Sequence, residues 1–73
     1  MSYTIYSKEK CPFCIKAKDY LSKRGLSFTV FTLGEDFTVD EIREKFPDAK
    51  TFPIIVEDGR MIGGYKQLTD HLG

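Results

Sequence analysis

Apolar and polar residues recur along this chain with two periods, and the changes of period divide it into seven elements. Tyr3-Thr4-Ile5-Tyr6-Ser7 alternates and is rich in β-formers, which predicts a first strand. Cys14, Ala17 and Leu21 then fall at i, i+3 and i+7, with Tyr20 beside them, as the inward stripe of a helix. Cys11-Pro12 opens that helix, because a proline at the first helical position gives up an N–H that would have no partner there. Good helix formers carry it to Arg24, and Gly25 ends it in the left-handed position after the last turn. Ser27 to Phe31 reads as a second strand, followed by a polar loop through Gly34 and Asp36. Thr38 and Glu41 form a T-x-x-E capping box, and the helix they start runs through Ile42 to about Phe46, stopping before Pro47. Pro53 to Glu57 and Arg60 to Gly63 are strands joined by Asp58-Gly59, a strong two-residue hairpin signal. Tyr65, Leu68 and Leu72 repeat the helical spacing in a short last helix.

The order βαβαββα predicts an α/β domain with one four-stranded mixed sheet flanked by three helices. The first strand-helix-strand unit is expected to be parallel with a right-handed crossover, and the hairpin adds an antiparallel half. Seventy-three residues allow one domain, 1–73, without repeats or linkers. A domain of this size buries only roughly 60% of its unfolded surface, so its core has little to spare.

Charge changes the picture more than composition does. Eleven basic residues balance eleven acidic ones, which argues against a nucleic-acid binder. The balance is local, however. Lys8 to Arg24 holds six basic residues against Glu9 and Asp19, a net +4, and Glu35 to Asp48 holds six acidic residues against Arg43 and Lys45, a net −4. Solvated helix faces explain both runs, and so does a positive field that draws an anionic substrate toward the cysteines. No stretch approaches the ~20 apolar residues of a membrane span. The start of the chain lacks the basic and apolar regions of a secretory leader, so a reducing, cytoplasmic setting is expected.

Both cysteines lie in K-E-K-C-P-F-C-I-K-A-K, Lys8 to Lys18. A structural zinc site wants four Cys or His ligands, and the chain offers Cys11, Cys14 and His71, the last expected to be frayed and exposed. A static disulfide closing so small a loop adds little stability in the loop-entropy model. A reactive pair explains more. Residues i and i+3 share a helix face with Cβ atoms ~5–6 Å apart, near enough for a disulfide. Cys11 at the cap would meet unpaired N–H groups and the positive end of the helix dipole, and Lys8 and Lys10 add to that field. Cys14, a turn inside on the packed face, would be the inert partner. Cys11 is therefore expected to attack and Cys14 to resolve. C-x-x-C beside a strand-helix-strand pattern is also the thioredoxin-like redox signature.

Over essentially its whole length the sequence resembles the glutaredoxins. I-Y-S-K-E-K-C-P-F-C (Ile5 to Cys14) resembles that family's first strand and active site, with Phe13 where tyrosine is commoner. T-F-P (Thr51 to Pro53) resembles its T-V-P segment, and G-G-Y-K-Q-L (Gly63 to Leu68) its glycine pair and following helix. The resemblance implies a thioredoxin fold and a thiol-disulfide oxidoreductase. Such an enzyme uses glutathione to reduce protein disulfides and glutathione mixed disulfides, and small members supply ribonucleotide reductase. The chain itself requires no metal and no organic cofactor, with glutathione as co-substrate, and a monomer without membrane contact is expected.

The resemblance also implies a substrate site. Pro53 would be cis beside the cysteines, although only ~5–6% of X-Pro bonds in folded proteins are cis. Phe52 would then offer its N–H and C=O to the cysteine part of glutathione, with Thr51 alongside, by strand addition. Lys8 matches the family's lysine for the glycine-end carboxylate. Arg43 is the nearest second-helix donor, Asp40 standing where the usual contact is expected, and Lys50 is a further candidate. The other carboxylate would meet backbone N–H groups of Tyr65 and Lys66, after Gly63 and Gly64. An aspartate commonly follows the glycine pair and holds the substrate amine. Lys66 and Gln67 stand here instead, and Gln67, uncharged, would hold that amine less well. Weaker selectivity for glutathione is the expectation. Phe13, Phe52 and Tyr65 would rim the thiols, or pack partly into the core. Two rivals follow from the same residues: a redoxin reduced by thioredoxin reductase, favoured by the missing aspartate, and a module whose C-x-x-C holds metal or an iron–sulfur cluster shared by two chains.

Overall fold

The structure is a computed structural model and describes residues 2–49 and 51–73. It contains β1 (Tyr3–Ser7), α1 (Pro12–Lys23), β2 (Phe28–Thr32), α2 (Val39–Lys45), β3 (Ile54–Glu57), β4 (Arg60–Gly63) and α3 (Tyr65–Leu72). The strands form one sheet in the order β2-β1-β3-β4. β2 lies parallel to β1, while β3 and β4 are each antiparallel to the strand before them in the sheet. Among the described residues no helix is long and apolar enough to cross a membrane.

Two cores sit on opposite faces of the sheet. Tyr3 and Ile5 of β1 point to one face and pack with Ala17 and Leu21 of α1, Ile55 of β3 and Leu68 of α3. Tyr6 points to the other face and packs with Ile54 and Val56 of β3, Ile42 of α2 and Phe37. β1 and β3 are thus covered on both sides, which accounts for the unbroken apolar run Ile54-Ile55-Val56. The inward stripe expected on α1 is present, since Cys14, Ala17 and Leu21 are all buried.

Element ends follow from local chemistry. The Leu26 N–H donates to the Leu21 carbonyl and the Gly25 N–H to that of Ser22, around Gly25 at φ +71°, so α1 stops in a Schellman motif. The Thr38–Glu41 capping box forms with both of its hydrogen bonds. Asp58 and Gly59 both have positive φ, which the two-residue hairpin turn requires. β2 is shifted one residue from the expected Ser27–Phe31, because its pairing with β1 runs from Tyr3 opposite Phe28 to Ser7 opposite Thr32. β3 starts at Ile54, since Pro53 has no N–H to give the ladder.

His71 is not simply frayed. Its Nε2 lies 3.3 Å from both carboxylate oxygens of Glu57, which also accepts a hydrogen bond from the buried Tyr3 hydroxyl. This cluster joins β1, β3 and α3. The hydrogen bond to Glu57, followed by burial, pushes the Tyr3 pKa up from 10.0 to about 12. The folded protein therefore holds this proton more tightly than the unfolded chain does. The resulting stability is complete below pH 10 and is lost as pH rises from 10 toward 12. Denaturant unfolding across that range should show the loss in the wild type, and Tyr3→Phe, with no proton to release, should show a flatter profile.

Candidate active site

The chain leaves β1 at Ser7, crosses Lys8 to Lys10 and enters α1 at Cys11. Lys10 takes φ +55°, a left-handed conformation that a side-chain-bearing residue rarely adopts. Cys11 follows in extended conformation as the cap of α1, with Pro12 at the first helical position. The Cys14 N–H donates to Cys11 Sγ at 3.2 Å. The Cys11 carbonyl accepts from the N–H groups of Cys14 and Ile15 at 3.1 and 3.2 Å. A sulfur in this position receives a backbone donor and the positive end of the helix dipole, both of which favour a thiolate over a thiol. The two Cα atoms lie 5.2 Å apart with the sulfurs within disulfide-bonding reach. Cys14 is 1% exposed and Cys11 5%, so Cys11 is the more accessible of the two. Among the described residues, no group of three or more His, Cys, Asp or Glu side chains is placed to hold a metal ion.

The other site residues picked out in the sequence converge beside this turn. Phe13, Thr51, Phe52, Pro53, Gly64, Tyr65, Lys66 and Gln67 line one open cavity of about 200 Å³. Phe13 carries that cavity up to the dithiol, and neither cysteine lines it. The Phe52–Pro53 bond is cis, as the resemblance implied. No hydrogen bond among the described residues engages the Phe52 N–H or C=O. A second cavity, of about 390 Å³, shares Thr51 and Phe52 and adds Lys8 and Arg43. Its apolar wall comes from Leu33, Val39, Ile42 and Ala49, which sequence reasoning did not associate with the site. Asp40 lines neither cavity, and Lys50 lies outside the described residues.

The aromatic residues divide between rim and core. Phe13 is 53% exposed, with its ring centroid 6.0 Å from that of Tyr65. Tyr65 also packs against the first core, and Phe52 against the second, where it stacks on Phe37. Lys8 Nζ stands 5.9 Å from the centre of the Phe52 ring, and Lys16 Nζ 5.0 Å from that of Phe13.

Gln67 has a local role that the sequence reading missed. Its Oε1 accepts a hydrogen bond from the Gly64 N–H at 2.9 Å, closing the first turn of α3. Leu68 N–H donates to the Gly64 carbonyl, which starts the helix. The spacing Gly64-x-x-Gln67 is half a capping box, with glycine in place of serine or threonine, and that was the available signal. The Gln67 carbonyl is thus already engaged. The Tyr65 and Lys66 N–H groups, in the first turn of α3, have no hydrogen-bond partner among the described residues.

A mixed sheet of this order, with a C-P-F-C turn at the start of its first helix, defines a thioredoxin-fold domain bearing a dithiol centre. The glutaredoxin family model matches residues 3–62. Glutaredoxin 3 of Escherichia coli K12 is 38% identical over 64 residues, covering 88% of this chain and 77% of that protein. Hybrid peroxiredoxin hyPrx5 of Haemophilus influenzae is 40% identical over 67 residues, 92% of this chain. The match spans only 27% of that relative's length. A buckwheat glutaredoxin–glutathione complex superposes with a TM-score of 0.83 at 20% identity, covering 96% of this chain and 66% of that one, and so shares the fold. The chain belongs to the glutaredoxin family of thiol-disulfide oxidoreductases.

Proposed function

We propose that the protein reduces protein disulfides and glutathione mixed disulfides with electrons from glutathione. The observation that carries this reading is the cavity of Phe13, Thr51 to Pro53 and Gly64 to Gln67 against the Cys11–Cys14 turn. It offers a glutathione moiety an unengaged Phe52 backbone and two free N–H groups at the start of α3. Lys8 and Arg43 stand in the adjoining cavity for a carboxylate.

The chemistry runs in two exchanges. The Cys11 thiolate attacks one sulfur of the substrate disulfide, forming a mixed disulfide and releasing one substrate thiolate, which takes a proton from solvent. Cys14 then gives up its proton and attacks Cys11 Sγ. This breaks the mixed disulfide and leaves Cys11–Cys14 oxidised. Two electrons have passed to the substrate. One glutathione thiolate attacks Cys11 Sγ, forming a Cys11–glutathione mixed disulfide and releasing the Cys14 thiolate, which takes a proton. A second attacks the sulfur of that bound glutathione, and glutathione disulfide leaves with Cys11 restored as the thiolate. For a glutathione mixed disulfide, Cys11 alone suffices. Ribonucleotide reductase is one protein oxidant this scheme serves. The identity to a hybrid peroxiredoxin favours a second, the oxidised cysteine of a peroxiredoxin.

The test couples NADPH oxidation to a glutathione mixed disulfide, with glutathione reductase in one assay and thioredoxin reductase in another. Turnover with glutathione and its reductase supports the reading, and turnover only with thioredoxin reductase overturns it. A purified protein that is dimeric and absorbs in the visible would instead point to a bound cluster. Lys8→Ala and Arg43→Ala should each raise KM for the mixed disulfide about threefold to tenfold with kcat little changed, as loss of one charged hydrogen bond predicts.

A further inference from the structure

Ile15 is the one apolar residue beside the dithiol that the glutathione reading leaves without a role. It follows Cys14 directly and is 62% exposed, more than any other large apolar side chain among the described residues. Single exposed isoleucines are common on protein surfaces, but the surroundings of this one are particular. Phe13 and Ile15 are two residues apart on α1, so they project roughly 200° apart around the helix, on opposite flanks of the cysteine seam. Phe13 turns to Tyr65 and lines the cavity proposed for glutathione. Ile15 faces the other flank, outside that cavity. When glutathione occupies the Phe13 side, a protein disulfide that reaches Cys11 has the Ile15 side left to lie on.

The charge around Ile15 is net positive. Between Lys8 and Lys18 four lysines stand against Glu9 alone, a net +3. Asp19, one helical turn from Ile15, is paired with Lys23 at 3.0 Å, so among the described residues Lys18 carries the unpaired charge on this flank. The balancing negative charge belongs to Glu35 through Asp48, around α2. A molecule with zero net charge but separated poles turns its α1 face toward an acidic partner and its α2 face away from it.

On the dithiol reading above, we propose that the Ile15 flank of α1, with Lys18 one turn on, docks acidic protein segments carrying the substrate disulfide, an apolar side chain of the segment covering Ile15. No new redox step is involved, because the docked disulfide is the one Cys11 attacks.

The probes are two peptide disulfide dimers of equal length, each with leucine next to its cysteine, one flanked by glutamates and one by lysines. Hydroxyethyl disulfide serves as the small uncharged control. Protein reduced with dithiothreitol and freed of it is mixed with each in a single turnover, so no glutathione or reductase is needed. The acidic peptide is expected to oxidise the protein roughly tenfold faster than the basic one at low salt, with the ratio shrinking as salt is raised. Ile15→Ser should slow the acidic peptide about fivefold and leave hydroxyethyl disulfide unchanged. Lys18→Glu should narrow the acidic-over-basic ratio. Equal rates for the two peptides, or an Ile15→Ser variant as fast as wild type on the acidic one, overturn the docking surface alone. Failure to react with hydroxyethyl disulfide as well overturns the dithiol reading and the docking surface with it.

Discussion

Cys11→Ser is expected to abolish reduction of every disulfide, with kcat/KM falling at least about 10³-fold, since Cys14, the other thiol, is buried on the packed face. Cys14→Ser is expected to behave differently. It should lose most activity on protein disulfides, for which a resolving thiol is needed, and keep activity on glutathione mixed disulfides. The structure supplies the asymmetry. Cys11 is the cap of α1 and accepts a hydrogen bond at its sulfur, while Cys14 is the less exposed of the pair and lies on the packed face. The donor to Cys11 Sγ is the backbone N–H of residue 14, which serine preserves. Cys14→Ser thus removes the resolving sulfur without removing the support of the attacking one. Assays of both variants on a mixed disulfide and on a protein disulfide check this. Full activity in Cys11→Ser on either substrate would reverse the roles.

The order of elements was legible because each carried its own local signal. Proline and glycine bracket α1, a capping box opens α2, and Asp-Gly turns the hairpin. The reactive pair was legible for a related reason, since spacing and a helix start fix it locally. What sequence could not place were contacts between distant segments. Lys8 and Arg43 share a cavity across thirty-odd positions because the second core holds α2 over the end of β1; the family resemblance pointed to both residues, and no periodicity does. The Tyr3–Glu57–His71 cluster depends on the register of β1 against β3, with Tyr3 opposite Glu57. Gln67 went the other way. It looked like a substrate contact by analogy with a family aspartate, while its spacing from Gly64 already allowed a cap.

That cap makes Gly63 the position where a single methyl group should cost most. Gly63 has φ +133°, beyond the left-handed region that asparagine or aspartate can tolerate, so any side chain there strains the backbone. A Cβ at Gly63 would also lie 2.8 Å from Cγ and 2.9 Å from Cβ of Gln67. The Cβ contact cannot be relieved by rotating the Gln67 side chain, so the first turn of α3 must shift and Gln67 Oε1 then leaves the Gly64 N–H. Strain and the lost cap together predict that Gly63→Ala destabilises the protein by roughly 2–4 kcal/mol. Gln67→Ala isolates the cap alone and should cost about 1 kcal/mol. The two differ in function as well. Gly64, Tyr65 and Lys66 line the cavity proposed for glutathione, and displacing the backbone at Gly63 moves all three. Gly63→Ala should therefore also raise KM for a glutathione mixed disulfide in the fraction that remains folded. Denaturant unfolding of both variants, alongside their kinetics, tests the account. If Gly63→Ala costs no more than Gln67→Ala, the turn before α3 tolerates a side chain and the tight packing of Gln67 on Gly63 is not what holds it.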